Sequence, residues 1–287
     1  MKTVISVVVR SHNDEAYIDR TLEILTNQRC SVPFEIISVD DASTDRTPEI
    51  IDRFPLVRKV DRPEGKYVPG RTLNLAVANC RGEIVVFNNA DAIPQDDSYL
   101  ERLTEPLRKS KSVCAAYANQ LPRPDALYLV RHDHLRAFGD GKTAAKWRFF
   151  FSLAASALRR EELTHYPFSE TIRYSEDVEW AVRAVARGGK ICYVPEARVE
   201  HSHNYTLREL NKRFRGEGEA DAEIFDISPN WFGSVARAGK DFMRDAIYLA
   251  GHPAGYGEIF LAFPRRLVQK LAYRHGALDY RRSKKLC

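Results

Sequence analysis

Long apolar runs are missing from this sequence: nothing in it approaches the roughly eighteen consecutive residues that a transmembrane helix needs. Cysteine is sparse. Cys30, Cys80, Cys114, Cys192 and Cys287 are odd in number and scattered, with no C-x-x-C pair. That pattern argues against a disulfide framework or a cysteine-built zinc site and fits reduced thiols in a cytoplasmic protein. The opening, Met1 to Arg10, is too short and too β-branched to read as a secretory signal. Glycine is absent where nucleotide-binding motifs need it, because the first apolar run leads straight into Arg10-Ser11-His12-Asn13. A dinucleotide fingerprint and a P-loop are thereby excluded at that turn, so side chains would hold any nucleotide there. There is no internal repeat and no low-complexity linker.

What is present is an ordinary soluble composition. The chain has 287 residues, 44% hydrophobic and 29% charged, enough for one large domain with a sizeable core. The net charge of +5 is unevenly placed. Pro264 to Cys287 holds eight Lys/Arg against one acid, a net +7, which leaves 36 against 38 elsewhere, a net −2. A nucleic-acid binder carries its positive charge on the folded face that grips phosphates, so no nucleic-acid partner is expected.

The first ninety residues alternate β-branched runs with amphipathic stretches, the βαβα signature of a parallel sheet. Strands are expected at Val4–Val9, Glu35–Val39, Leu56–Val60, Glu83–Phe87 and Val113–Tyr117, and short ones at Ile191–Val194 and Arg198–His201. Helices are expected at Glu15–Gln28, Thr47–Arg53, Arg71–Ala78, Leu100–Arg108 and Glu176–Arg187. Asp125–Arg148 has no clear period and reads as loops and short helices, with His132-Asp133-His134 in a solvated loop. Polar clusters follow the strands: Ser11 to Glu15, Asp40-Asp41, and Asn89-Ala90-Asp91. In open α/β sheets that carboxyl edge is where ligands bind.

Four of these segments, Val4–Gln28, Val39 to Asp45, Gly82 to Phe87 and Glu176 to Trp180, resemble in that order the family 2 inverting glycosyltransferases of GT-A fold. Gly70-Arg71-Thr72-Leu73-Asn74 and Val199 to Tyr205 resemble more narrowly a bacterial rhamnosyltransferase-like branch. The resemblance implies an α/β fold with a Rossmann-like, mostly parallel sheet flanked by helices. It implies a catalytic domain over 1–258, with a nucleotide-binding half at 1–95 and an acceptor-side half at 96–258. Residues 259–287 would form a basic C-terminal tail.

The implied reaction is a single displacement at an anomeric carbon, which needs a base for the acceptor hydroxyl opposite a departing nucleoside diphosphate. Asp177 matches that base, at a helix start whose dipole would keep its carboxylate ionised, although Ser175 to Asp177 is equally a helix cap. Glu176 and Trp180 would face the acceptor, with a buried core tryptophan as the other reading. The donor side would comprise Arg10, Ser11, Asn13, Glu15, Arg71, Asn89, Ala90, Asp91 and the pair Asp40 and Asp41. Asp40 is expected to read the base of a thymidine or uridine diphospho-sugar, because Asp41 begins the turn. Asn89 stands where the family has a carboxylate, so only Asp91 offers full charge to a divalent cation, Mn²⁺ or Mg²⁺. His201 is the expected second ligand, with His203 on the same strand face. Lys146 to Phe151 is either an acceptor-side or a buried aromatic segment.

The partners expected are a nucleoside-diphosphate sugar and a saccharide acceptor on a lipid carrier at the cytoplasmic face of the inner membrane. After Pro264, a favourable first helical residue, Arg266, Lys270 and Arg274 share one stripe, Gly276 would end the helix, and a second basic cluster follows. Residues 264–285 are thus expected to touch an anionic membrane, unless the helix docks on the catalytic domain.

Overall fold

The computed structural model describes residues 4–147 and 149–285. Arg148 of the aromatic segment and Cys287 of the expected thiols lie outside the described residues. In chain order the elements are β1 (Ile5–Ser11), α1 (Ile18–Thr26), β2 (Phe34–Asp40), α2 (Thr47–Ile51), β3 (Val57–Lys59), α3 (Pro69–Asn79), β4 (Ile84–Asn89), β5 (Ile93–Pro94) and α4 (Tyr99–Lys109). There follow β6 (Val113–Leu121), α5 (Tyr128–Ala137), β7 (Ala155–Arg159), α6 (Arg160–His165), α7 (Glu176–Ala186) and β8 (Lys190–Glu200). Three long helices close the chain: α8 (Leu207–Phe225), α9 (Trp231–Ala250) and α10 (Ile259–Lys284).

The contacts divide the chain into two units. The first comprises Met1–Leu121, Arg136–Thr171 and Glu176–His201, and contains the whole sheet, ordered β3-β2-β1-β4-β7-β6-β8-β5. Strands β3, β2, β1 and β4 run parallel, β7 runs antiparallel to both its neighbours, and β8 is parallel to β6. Alternation along the strands sends side chains into two helical layers. Ile5, Val7 and Val9 of β1 pack with Ile18, Leu22 and Leu25 of α1 and with Leu100 and Leu103 of α4. Val8 and the β4 residues Val85 and Phe87 pack on the other side with Leu73 of α3 and Trp180 of α7. Each such fully buried aliphatic side chain contributes about 1.5–3 kcal/mol over its exposed state.

Two local expectations change. Strand β7 went unanticipated because Ala155-Ser156-Ala157-Leu158 lacks β-branched residues; burial between β4 and β6 makes it a strand. The two short strands near 191 and 198 form the single β8, with an irregularity where Val194 and Arg198 pair with the adjacent Ala118 and Asn119. Pro195 sits in that gap, where a missing N–H costs no ladder bond. The described part of the segment 125–148 holds the short helix α5 among loops, as its sequence reads.

The second unit comprises Pro122–Leu135, Ile172–Ser175 and Ser202–Cys287. Helix α8 starts with a reciprocal capping box, Thr206 with Glu209. Helices α8 and α10 approach so closely that a Cβ on Gly218 would lie 2.0 Å from the Tyr273 carbonyl oxygen, and one on Gly276 1.8 Å from that of Arg215. Gly276 therefore lies inside α10 and permits packing rather than ending the helix, and Pro264 also lies inside it. Arg266, expected on an outward basic stripe, is buried between Asp245 (2.6 Å) and Asp133 (2.7 Å). His132 adds a 3.0 Å contact to Asp245, so His132-Asp133 joins a buried polar cluster rather than a solvated loop.

Candidate active site

Strand register builds the site. Arg10 lies opposite Asn89, and Ser11 opposite Asp40, so the carboxyl ends of β1, β2 and β4 meet at one edge. A cleft of about 540 Å³ opens there. Arg10, Ser11, His12 and Asp14 line it from the end of β1, with Asn89 and Asp91 from the end of β4 and Asp41 and Tyr67 from neighbouring loops. Of the expected donor residues, Arg10, Ser11, Asp41, Asn89 and Asp91 line this cleft.

The remaining donor-side residues hold the loops that shape it. Asn13 accepts from the Thr44 N–H (2.8 Å), and its own N–H donates to Ser43 Oγ (2.8 Å). Glu15 accepts from the Arg46 N–H (3.0 Å), while its own N–H donates to Asp45 (3.0 Å). These bonds join the turn after β1 to the turn after β2. Both carboxylate oxygens of Asp40 serve the same purpose, one accepting from Ser11 and Ser43 hydroxyls and the other from the Ser43 N–H. Asp41 instead faces the cleft, 3.6 Å from Arg62. Ala90 is fully buried; its N–H donates to the Arg10 carbonyl and its carbonyl accepts from Thr21. Arg71 lies in the first turn of α3, half-exposed and 3.7 Å from Glu170. Asn13, Ala42 and Ser175 take φ of 57°, 52° and 57°. Left-handed backbone is tolerated by asparagine but costly for alanine and serine, and it gathers at functional turns.

Arg10 is the hub. Its guanidinium donates to Tyr67 Oη (3.1 Å) and Asn89 Oδ1 (3.4 Å) and lies 3.5 Å from Glu176. Burial alone would lower its pKa, but Tyr67, Glu176 and Asp177 outweigh burial and raise it. Burial raises the Tyr67 pKa too, against the opposing effect of Arg10. Asp14 is pushed up to about 6, by burial first and then by the charges of Asp91 and Asp45, against the His12 N–H that it accepts. The cleft is thus a place where added positive charge is welcome.

Asp91 and His201 meet that description. The Asp91 carboxylate is buried, with His201 Nε2 3.4 Å away. His201 Nδ1 sits 2.8 Å from Gln120 Oε1, and Gln120 Nε2 donates to Ser152 (2.8 Å). The Gln120 oxygen can only accept, so Nδ1 donates to it, and Nε2 is the ring nitrogen that faces Asp91. A carboxylate and an imidazole nitrogen so arranged fit a divalent cation, with Gln120 fixing the ring from behind. His203 belongs to the second unit.

At the start of α7, Asp177 accepts from the N–H groups of Val178 (2.8 Å) and Leu153 (3.3 Å). Trp180 is wholly buried, packed near Phe151 and Phe168, and donates to the Tyr166 carbonyl. It is a core residue and presents no face to an acceptor. Phe150 and Phe151 likewise pack on Tyr117. Tyr67, Asp14 and Gln120 escaped the sequence reading. Asp14 stood within a recognised polar cluster, whereas Tyr67 and Gln120 carry no local signal.

Residues 6–167 match glycosyl transferase family 2. The O-antigen chain rhamnosyltransferase WbaN of Salmonella anatum is 31% identical over 239 residues, covering 77% of this chain and 72% of that one. RfbN of Salmonella typhimurium, also an O-antigen chain rhamnosyltransferase, is 26% identical over 264 residues, covering 85% and 80%. Among solved structures, the mannosyltransferase PcManGT of Pyrobaculum calidifontis, in complex with GDP-Man and Mn²⁺, superposes with a TM-score of 0.68 at 19% identity. That match covers 99% of this chain and 88% of the other and shows the fold, which is GT-A. With a family match over more than half its length and the polar strand edge such an enzyme requires, this chain belongs to glycosyl transferase family 2 and is a glycosyltransferase.

Proposed function

We propose that the protein transfers a sugar, with inversion, from a nucleoside-diphosphate donor to a hydroxyl of a bacterial surface-polysaccharide acceptor. The rhamnosyltransferase relatives favour dTDP-L-rhamnose as the donor over a UDP-sugar. The observation that carries the reading is the cleft where Arg10, Asp41, Asn89 and Asp91 converge, with Glu176 bonded to Arg10 and Asp177 beside it in sequence. Asp177 takes the proton of the acceptor hydroxyl as its oxygen bonds to the anomeric carbon. The bond from that carbon to the diphosphate breaks, and the nucleoside diphosphate leaves with the electron pair. Asp91 and His201 would hold Mn²⁺ or Mg²⁺, which supplies charge neutralisation for the leaving diphosphate. Arg10 adds fixed positive charge, aimed by Glu176, Tyr67 and Asn89. Asp41 reads the pyrimidine N3–H, because the oxygens of Asp40 already serve Ser11 and Ser43. Arg71 approaches the donor from the start of α3.

The acceptor in this reading is lipid-linked at the cytoplasmic face. Attraction to an anionic leaflet through residues 264–285 would then come from Arg282, Lys284 and Lys285, which are exposed at the end of that segment.

The test is nucleoside-diphosphate release and thermal stabilisation with dTDP-rhamnose and UDP-sugars, with Mn²⁺, Mg²⁺ or EDTA. Donor at about 100 times its Kd should add roughly 2.7 kcal/mol of stability. Asp177→Asn should keep that stabilisation while losing about 10²–10⁴-fold in turnover. Turnover retained within tenfold of wild type would remove Asp177 as the base, and donor binding indifferent to EDTA would remove the cation.

A further inference from the structure

Every carboxylate between Trp231 and Pro264 turns inward. Asp241 pairs with Arg244 and, at 2.8 Å, with Lys270. Asp245 is enclosed by His132 and Arg266, and Glu258 accepts from the backbone N–H groups of Tyr128 and Leu129. What this segment shows to solvent is apolar or cationic. Phe232 is 80% exposed, Met243 57%, Ile247 71% and Phe260 86%. Phe232, Ala236, Lys240, Met243 and Ile247 recur at three- and four-residue spacing, which places them on one stripe of α9. The edge-to-face contact of Phe242 with Phe263, centroids 5.7 Å apart, holds the first turns of α10 against α9. Between the two helices the turn exposes Pro253, Ala254 and Tyr256. Arg237 and Lys240 are the exposed cations of α9.

We infer that this face, from Phe232 through Phe260, is a docking surface for an anionic lipid bilayer. The large apolar side chains would enter the head-group region, and Arg237 and Lys240 would meet lipid phosphates, the arrangement of an interfacial amphipathic helix. Charge decides between a bilayer and a second copy of the chain. A two-fold contact would set Arg237 and Lys240 of both copies on a shared face with no exposed carboxylate to meet them. An anionic leaflet supplies that missing negative charge. The inference does not rest on the donor or base assignments. It adds insertion to the electrostatic attraction proposed for the terminal cations.

The experiment is co-sedimentation of the full chain with phosphatidylcholine vesicles, with and without phosphatidylglycerol, at low and high salt. Wild type should pellet with the anionic vesicles. Ile247→Ser with Phe260→Ser should lower the partition coefficient by about tenfold or more, at unchanged Tm. Arg237→Gln with Lys240→Gln should weaken binding chiefly at low salt and so provides an independent reading of the same face. Donor hydrolysis in solution should be the same in all forms, which separates failure here from failure of the transferase reading. Equal partition of wild type and both double variants would overturn the inference, leaving the terminal cations alone responsible. So would failure to pellet, or a dimer detected by light scattering that the serine variant dissolves.

Discussion

Asp14 carries the clearest pH signature of any single residue in the cleft. Its carboxyl titrates near 6 in the folded protein, well above its ordinary 3.8, because burial and the neighbouring Asp91 and Asp45 disfavour its charge. Between about pH 4 and pH 6 the unfolded chain gives up this proton while the native state keeps it, so this group's contribution to stability falls as pH rises through that window. Above pH 6 the loss is constant. Asp14→Asn removes the penalty while leaving an oxygen to accept from His12. In EDTA, its Tm advantage over wild type should be near zero at pH 4, grow through pH 6 and then level off at about 2–4 °C or more. Melting curves across pH 4–8 check this, and a constant offset would show that Asp14 does not retain its proton. At the same scale, Asn89 finds its physical place beside Arg10, where its neutral oxygen accepts a bond without adding another carboxylate to the cleft.

Among the elements, α3 shows why a short motif has the residues it has. A Cβ on Gly70 would stand 1.9 Å from the Ser169 carbonyl oxygen, a backbone atom with no rotamer to escape into. Four residues on, Asn74 bonds the Phe168 backbone in both directions, donating to its carbonyl and accepting from its N–H. Glycine and asparagine thus clamp α3 onto the segment 168–170, and Arg71 sits between them near Glu170. Gly70→Ala should cost about 1–3 kcal/mol by overpacking, read as a lower Tm or a lower urea midpoint, and should weaken donor binding if Arg71 moves with the helix. A Tm within a degree of wild type would mean that the segment yields. Helix α1 is the contrasting case, because Ile18, Leu22 and Leu25 at i, i+4 and i+7 specify their own burial.

For the whole chain, the basic C-terminal segment is structural as well as charged. Arg266, Ala272, Gly276 and Ala277 are buried within the second unit, and Arg266 neutralises the buried Asp245. A chain ending at Phe263 takes Arg266 away from that carboxylate, leaving it beside His132, and strips α8 of the helix packed against it. Removing one partner of a buried pair costs about 3–5 kcal/mol. The shortened protein should lose more helical circular-dichroism signal than the deleted residues account for, and trypsin should cut rapidly after Arg208, Lys212 or Arg237. Unchanged protease resistance would show that the helical unit stands without α10. The same chain is unsuited to testing membrane contact, since it changes folding and charge together.

The sequence by itself determined the parallel βαβ half, the polar strand edge and the family, because period-two and period-3.6 burial patterns and short turn motifs are local properties. It also determined that Asp91 and Asp177 stand at element ends. The tertiary structure alone decided which polar residues face the cleft. Asp40 and Asp41 are adjacent and chemically alike, yet Asp40 is taken up by Ser11 and Ser43 while Asp41 lines the cleft. Trp180 and Arg266 look like binding residues in a linear reading but are buried by partners far along the chain. Gln120 behind His201 and Tyr67 beside Arg10 are likewise pairings across 81 and 57 residues. Such contacts depend on sheet order and loop closure, and no local periodicity encodes them.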